Sequence, residues 1–406
     1  MLAMLTAVNM VNWADRNVVP ILFPGIRREL ALSDTELGMI GGLAFSAIYA
    51  ISSFGFGYGA DRTVRRNLIL FGLIVWSVAT AAGGFARGFS SLFAARFFTG
   101  IGEASLYPAA MSLIGERFPA AARGRAMGIF GAASAVGGGL GIGLGGPLSE
   151  MLGWRQVFFL YGGLGLLLVP LVMSVAERRR PRPSGADADT LGVLGELVMD
   201  RRLLLLWMSG MIMIASGIGY ATWVPSYFVR FRAMDVSQAG LFFGLAMLVG
   251  GVGGAVLGGT LADRCRRSGR GSELDVSIVT AALGAPLAAL TLVAQWDPLF
   301  MAAGVLAPMA IFAYFPPIQA VIIDIVPPRR HGIAYAINIL FLGGVGTALG
   351  PFLIGWVSDA TGSLRSAMAL PVIWMVLAAL LMEPAKRAVV RRAPGRTEAG
   401  IASEPS

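Results

Sequence analysis

The sequence predicts an all-α membrane protein with twelve transmembrane helices in two pseudo-symmetric six-helix bundles, N- and C-termini both cytoplasmic. Three observations carry this. The 406 residues are 56% hydrophobic and only 14% charged, with mean hydropathy +0.72, whereas soluble domains are about 25% charged. The apolar residues fall into runs of roughly 20, the length that crosses about 30 Å of hydrocarbon as a helix. Finally, sequence elements of the first half recur in the second. A β-barrel is excluded, because it needs alternating segments of about ten residues.

The runs follow in order. The first, 1–24, is interrupted by "NWADRN"; the second, 36–60, contains glycines that can bend it; the third is 67–86. The fourth, 89–114, carries Arg96 and Glu103, the fifth, 122–147, is glycine-rich, and the sixth is 154–176. These make an N-terminal bundle, 1–176. A linker, 177–202, opens with the charged, Pro-rich "ERRRPRPSGADAD"; after it Leu191, Leu194, Leu197 and Val198 share one face of a short amphipathic helix. Runs seven to twelve, at 203–229, 238–261, 276–295, 298–322, 332–357 and 366–384, make a C-terminal bundle, 203–388, followed by a cytoplasmic tail, 389–406. Gly and Pro in runs ten and eleven are potential bends.

Loop charge sets the orientation. Of 32 basic residues, 23 lie in segments that face inward when the N-terminus is inside, 7 face outward, and Arg16 and Arg96 sit at membrane depth. The expected location is therefore the inner (plasma) membrane, multi-pass. Because the cations follow loop parity, the net charge of +9 marks no nucleic-acid partner. The single Cys265 and single His331 offer no metal site or disulfide, and no cofactor is expected. The first run has no basic n-region, so a cleavable signal peptide is not expected and a short native N-terminal tail is expected to be missing.

Three repeats relate the halves. "GYGADRTVRR" (57–66) and "GGTLADRCRR" (258–267) share Gly-x-x-Ala-Asp-Arg-x-x-Arg. "FPAAARGRA" (118–126) matches "VPPRRHGIA" (326–334), and "LGIGLGGPLSEMLG" (140–153) echoes "LGPFLIGWVSDATG" (349–362).

Charges at membrane depth are the leading functional candidates. Asp15 and Glu103 are the acids well inside predicted helices, with Arg16 and Arg96 as the bases. Burying each costs at least about 2.5 to 3.5 kcal/mol. Asn9, Asn12, Trp13 and Arg16 recur at i, i+3, i+4 and i+7 and form a stripe expected to line a cavity. Asp15 is rotated about 100° from it, toward a neighbouring helix. Arg96, Glu103 and Tyr107 share a face of the fourth helix, and Gly100 and Gly102 leave room for a backbone or a substrate. A buried carboxylate holds a proton when its guanidinium partner moves off and releases it when the partner returns. Asp15 and Glu103 are therefore the expected proton-coupling sites, with Arg16 as release partner or as contact for an anionic substrate group. The competing expectation is a static salt bridge that only fixes helix packing.

The repeated "G-x-x-A-D-R-x-x-R" resembles the signature loop of the major facilitator superfamily, and twelve helices in two halves is that family's architecture. The resemblance implies a cytoplasmic gate formed by Asp61, Arg62, Arg65 and Arg66, with Asp263, Arg264, Arg266 and Arg267 as second-half equivalents. "N-W-A-D-R", "L-S-D-T-E-L-G" (32–38) and "R-F-F-T-G-I-G-E-A-S" together resemble the spinster-like branch, which implies transport of lysolipids and sphingoid lipids, coupled through the Asp-Arg pair and the helix-four Glu. Anion:cation symporters for sugar acids carry similar residues and are the alternative. Gly128, Gly137, Gly141, Gly145 and Gly146 have the spacing of the superfamily's antiporter motif, with Ile142 where its proline stands.

For the substrate, Tyr220, Trp223 and Tyr227 in run seven, Phe312, Tyr314 and Phe315 in run ten and Asn338 in run eleven are expected to face the cavity. Charge on one side and aromatics on the other suit an amphipathic molecule. The expected function is a secondary active transporter, proton-coupled and working by alternating access. An organic-anion symporter, a drug exporter or a non-transporting membrane sensor are the alternatives. No enzyme is expected: there is no nucleophile motif, His/Cys cluster or nucleotide-binding loop. The expected partners are a small-molecule substrate, protons and membrane lipid, with the chain a monomer.

Overall fold

The computed structural model describes residues 1–60, 62–175, 177, 190–268 and 271–390, and among these every regular element is helical. Before the linker they are α1 (Leu2–Leu30), α2 (Asp34–Ala60), α3 (Arg65–Gly83), α4 (Phe89–Glu103), α5 (Leu106–Arg117), α6 (Ala120–Leu152) and α7 (Trp154–Met173). The linker helix is α8 (Thr190–Met199). After it come α9 (Arg201–Phe231), α10 (Val236–Ser268), α11 (Glu273–Val293), α12 (Asp297–Ile325), α13 (His331–Thr361) and α14 (Leu364–Val390).

Ten of these are long and apolar enough to cross a membrane: α2, α3, α6, α7 and α9 to α14. The exceptions that coincide with predicted runs are instructive. At 29 residues α1 is long enough, but Asp15, Arg16, Arg27, Arg28 and Glu29 dilute its apolarity. Run four is split into α4 and α5 at Ala104–Ser105, directly after Glu103. Helices outrun the apolar runs: α1 continues through Pro20 and Pro24 to Ala31, whose φ of 52° ends it. Charged final turns are satisfied beyond the hydrocarbon, so hydropathy underestimates helix length. Asp200 caps α9 through the Arg202 amide at 2.9 Å, and the Arg202 guanidinium bonded to the same carboxyl holds it below the ordinary carboxylate range.

The predicted bends are real. A π-turn occupies Met39–Leu43 in α2 and another Ile339–Gly346 in α13, where an inserted residue re-aims one helix face. On α8, Leu197 is buried and Val198 half-buried, whereas Leu194 is exposed; Arg330 ties α8 down through Glu196 at 2.7 Å. The side chain of Leu191 lies outside the described residues.

Glycines in α6 set the central packing. A Cβ on Gly137 or Gly141 would collide with the backbone of Met10 or Ala14 in α1, and one on Gly146 would meet the Val236 carbonyl of α10 at 2.5 Å. Gly145 faces Val18 and Ile21 of α1, while Gly128 has open space around it. Three of the five motif glycines thus serve backbone approach, and Gly145 makes room for side chains. Overpacking a tight interface costs about 1 to 3 kcal/mol, and here the neighbour is backbone that cannot rotate away. Gly141→Val is therefore expected to lower the melting temperature in detergent by several degrees, while Gly128→Ala leaves it unchanged; parallel thermal melts of the two variants check this.

Candidate functional site

Asp15, Arg16, Arg96 and Glu103 come together in one buried cluster between α1, α3 and α4. Arg16 Nε and Nη2 both donate to Glu103 Oε2, at 3.0 and 2.9 Å. Glu103 is inaccessible, but the Arg16 side chain retains 22% exposure, so the arginine is the accessible member of the pair. Three rings surround its guanidinium: Phe45 at 4.5 Å, Tyr49 at 4.6 Å and Trp13 at 4.8 Å. Stacking on aromatic faces stabilises a desolvated cation. Phe45 also lies 5.1 Å from Arg96.

Asp15 does turn away from Arg16. Its neighbour is α3, where Thr80 Oγ1 donates to Asp15 Oδ2 at 2.5 Å and lies 3.5 Å from Thr99 Oγ1 of α4. Several polar atoms in this cluster have no hydrogen-bond partner: Asp15 Oδ1, Glu103 Oε1, Arg96 Nε and Nη1, and Asn12 Nδ2. Gly100 and Gly102 are spoken for by backbone: a Cβ there would strike the Phe45 carbonyl of α2 at 2.7 Å or the Trp76 amide of α3 at 2.6 Å.

The predicted stripe on α1 divides. Trp13 and Arg16 are half-exposed, whereas Asn9 is buried and donates to Phe130 O at 2.8 Å and Ser134 Oγ at 3.1 Å on α6. Asn9 therefore joins helices and does not line the cavity; Asn12 is buried too. The aromatic set also needs correction. Tyr220, Trp223, Tyr227 and Tyr314 are almost wholly buried in the hydrophobic core. Trp223 Nε1 donates to Pro351 O, Tyr227 Oη donates to Leu292 O, both at 2.9 Å, and Tyr314 Oη pairs with Ser209 Oγ at 2.5 Å. Phe312 packs on Gly251 and Gly254 of α10, and Phe315 on Tyr314. The physical reason is that a polar tip on a large ring is satisfied by a backbone carbonyl as well as by a ligand. Accordingly Tyr227→Phe is expected to cost about 0.5 to 1.5 kcal/mol and leave substrate affinity unchanged, read from melts and uptake on one preparation.

What faces the cleft instead is Tyr107, 39% exposed, with Tyr335 of α13 interacting with both Tyr107 and Tyr49 from the opposite side. Asn338 is nearly buried and 3.4 Å from Gln319. Sequence reading missed Phe45, Tyr49, Thr80 and Tyr335. Tyr335 had a usable signal, since it stands three residues before Asn338 on one helical face.

The two ends of the molecule differ. At the end where α2 begins, segments from before and after the linker are bonded together. Arg230 Nη1 and Nη2 donate to the two Asp34 oxygens at 2.7 Å each, Ser358 Oγ donates to Asp34 Oδ2 at 2.6 Å, and Arg27 lies 3.4 Å away. Asp359 in turn accepts from the Asp34 and Thr35 amides at 3.1 and 2.7 Å. At the other end Phe54, Tyr58, Val256 and Tyr335 are exposed, and Gly124, Gly128, Gly259 and Gly332 have nothing nearby.

The signature-loop cations lie at that open end, and among the described residues the bonds found for them do not cross it. Arg65 is buried, paired with Glu177 at 2.6 Å and with Glu116. Arg66 donates to Glu177 through its amide and to Val175 O through Nη1, and Arg62 stacks on Tyr58. Arg266 repeats the Arg65 pattern with Glu273 and Asp324, at 2.6 and 2.5 Å. Arg267 Nε donates to Asp263 O at 3.3 Å, while the Asp263 and Arg264 side chains are exposed. Asp61 lies outside the described residues. Among the described residues no group of three metal-ligating side chains occurs.

Comparison with known proteins fits this geometry. The model of the Major Facilitator Superfamily matches residues 5–285 and 273–403. An MFS-type efflux pump of Mycolicibacterium smegmatis is 29% identical over 386 residues, covering 93% of this chain and 88% of that protein. The probable galactarate/D-glucarate transporter GudP of Escherichia coli is 26% identical over 415 residues, 93% and 90% of the two chains. Protein spinster homolog 1 of Homo sapiens is 29% identical over 389 residues, 88% of this chain and 72% of that one. Among solved structures, a bacterial homolog to the human lysosomal transporter spinster superposes with a TM-score of 0.84 at 23% identity, covering 96% of this chain and 97% of the other. The chain belongs to the Major Facilitator Superfamily, a membrane transporter and not an enzyme, with the spinster-like branch among its relatives.

Proposed function

We propose that the protein is a proton-coupled secondary transporter that moves an amphipathic small molecule carrying an anionic group across the inner membrane by alternating access. In this reading α1 and the broken α4–α5 pair also span the membrane, which makes twelve spans in bundles 1–176 and 203–388 with both termini cytoplasmic. The bonded Asp34 end is then periplasmic, and the described state is open to the cytoplasm. The carrying observation is Arg16: it closes on a fully buried Glu103 while its own edge stays open to the cleft inside a ring of Trp13, Phe45 and Tyr49. A substrate anion that draws Arg16 away leaves Glu103 as an unpaired buried carboxylate, which favours uptake of a proton. The aromatic surround and the Tyr107–Tyr335 face supply apolar surface with hydroxyl tips.

The second reading is a sugar-acid symporter. It is favoured by the same accessible cation and by the GudP relative; the presence of the efflux-pump relative keeps drug export in view. A small diacid would be better served by cations from both bundles, and Arg96 is walled off from the cleft. Ligand-induced melting shifts over lysolipids, sphingoid bases, drugs and sugar acids, repeated on Arg16→Ala, test the choice. Stabilisation by anionic amphiphiles that disappears in Arg16→Ala is expected; stabilisation by sugar acids alone overturns the reading.

A further inference from the structure

The lipid-facing side of α3 and α4 holds a feature that the transport cluster does not use. Between the two helices runs an apolar groove of about 680 Å³, lined by Ile74, Val78, Ala82 and Phe85 on one wall and Ala94 and Phe98 on the other. Its floor is Ala79 and Ala95. The alanines make it: two antiparallel helices with small residues where they face the lipid leave a trough between flanking large side chains. From Ile74 to Phe85 the groove extends about 16 Å at 1.5 Å per residue, which is close to half of the roughly 30 Å hydrocarbon core. One leaflet's acyl chain fits that length.

The groove ends at the 84–88 loop, and there the surface is cationic. Arg87 is exposed and has no ion pair among the described residues, while its amide is held by Ser91 Oγ at 3.0 Å on the groove's rim. Arg155 stands beside it, donating to the Gly84 and Ala86 carbonyls, but its charge is already committed to Glu29 at 2.8 Å. The uncommitted charge is therefore Arg87, between the groove-lining Ala86 and Ser91 at the loop end of the trough. On the buried side of the floor, Thr80 and Arg96 follow directly after Ala79 and Ala95, so the groove wall is also the wall of the Asp15 cluster.

We propose that this groove is a binding site for one acyl chain of an anionic phospholipid, whose phosphate is seated by Arg87. The site needs membrane insertion and is independent of what the protein carries. A neutral lipid competes for the trough but lacks the net negative charge that Arg87 selects.

The test uses the full chain, purified in detergent, exchanged with dioleoyl phosphatidylglycerol or dioleoyl phosphatidylcholine, and examined by native mass spectrometry. One phosphatidylglycerol retained about fivefold over phosphatidylcholine is expected, equivalent to about 1 kcal/mol at 1.4 kcal/mol per decade. Arg87→Gln removes the preference and keeps the residual retention. Ala82→Leu/Ala94→Leu, which fills the trough at exposed positions, abolishes retention of both lipids, while Leu167→Ala on the lipid face of α7 changes nothing. Melting temperatures of all variants verify folding. Equal retention of the two lipids by the unaltered chain overturns the proposal, and so does undiminished retention in the folded, groove-filled variant.

Discussion

Glu103→Gln is expected to abolish the pH dependence of transport in proteoliposomes while leaving the protein folded. The amide is nearly isosteric and its oxygen still accepts from Arg16 Nε and Nη2, the two bonds the carboxylate now takes at 3.0 and 2.9 Å. What it loses is the charge and the ability to take up a proton. Both bonds keep the charged Arg16 donor, and a hydrogen bond to a charged group is worth about 1.5 to 3 kcal/mol, so the variant's loss of stability stays modest. Removal of one partner from a buried pair costs more, about 3 to 5 kcal/mol, so Arg16→Ala is expected to be the less stable variant. Asp15→Asn is the necessary companion: its amide oxygen can still accept from Thr80, and it too should lose the response to pH. A pH profile of flux that is the same in both variants as in the unaltered chain, with folding intact, rejects both carboxylates as coupling sites and returns the cluster to a structural role.

Much of this site was legible in the sequence, and the reason is energetic. Asp15, Arg16, Arg96 and Glu103 stand out because a charge at membrane depth demands explanation, and helix geometry alone separates Asp15 from Arg16 by about 100°. The glycines at 137 and 141 stood out by their antiporter-motif spacing, but the α1 backbone that they meet is brought there by the fold. The aromatics were not legible. Tyr220, Trp223 and Tyr227 fall on one face at cavity-like spacing, but periodicity gives the face and not what it touches; all three are buried in the core, Trp223 and Tyr227 bonded there to the carbonyls of Pro351 and Leu292. Conversely, Phe45 and Tyr49 looked like ordinary apolar residues of α2, and only the fold brings them over Arg16. The Asp34 network was hidden for another reason. Arg230 and Ser358 lie 196 and 324 residues from Asp34 in sequence, and each taken singly looks like an interfacial anchor.

That network yields the second large effect. Asp34→Asn is expected to open the end of the molecule at which α2 begins. Two charge-assisted bonds from Arg230 converge on this one carboxylate, with Ser358 and Arg27 beside it. The N-terminus of α2 is held doubly. Ser33 and Glu36 form a capping box, and Asp359 of α13 captures the Asp34 and Thr35 amides, first-turn donors that no helix can satisfy internally. The helix end is therefore anchored to the opposite side of the protein by its backbone as well as by its charge. Neutralising Asp34 weakens only the charge, by roughly 2 to 4 kcal/mol for two such bonds. About 5.5 kcal/mol inverts a 99:1 equilibrium, so the substitution is expected to raise the open population by one to three decades without unfolding the helix. Spin labels at Ser90→Cys and Gln295→Cys, in a Cys265→Ser background, should then show a longer distance component. Arg230→Ala should reproduce it, and the double variant should add little to either alone, because both remove the same contact. An unchanged distance distribution in Asp34→Asn, or strictly additive effects in the pair, means that closure at this end rests on the packing of α2 against α13 and on Asp359, and not on the Asp34–Arg230 pair.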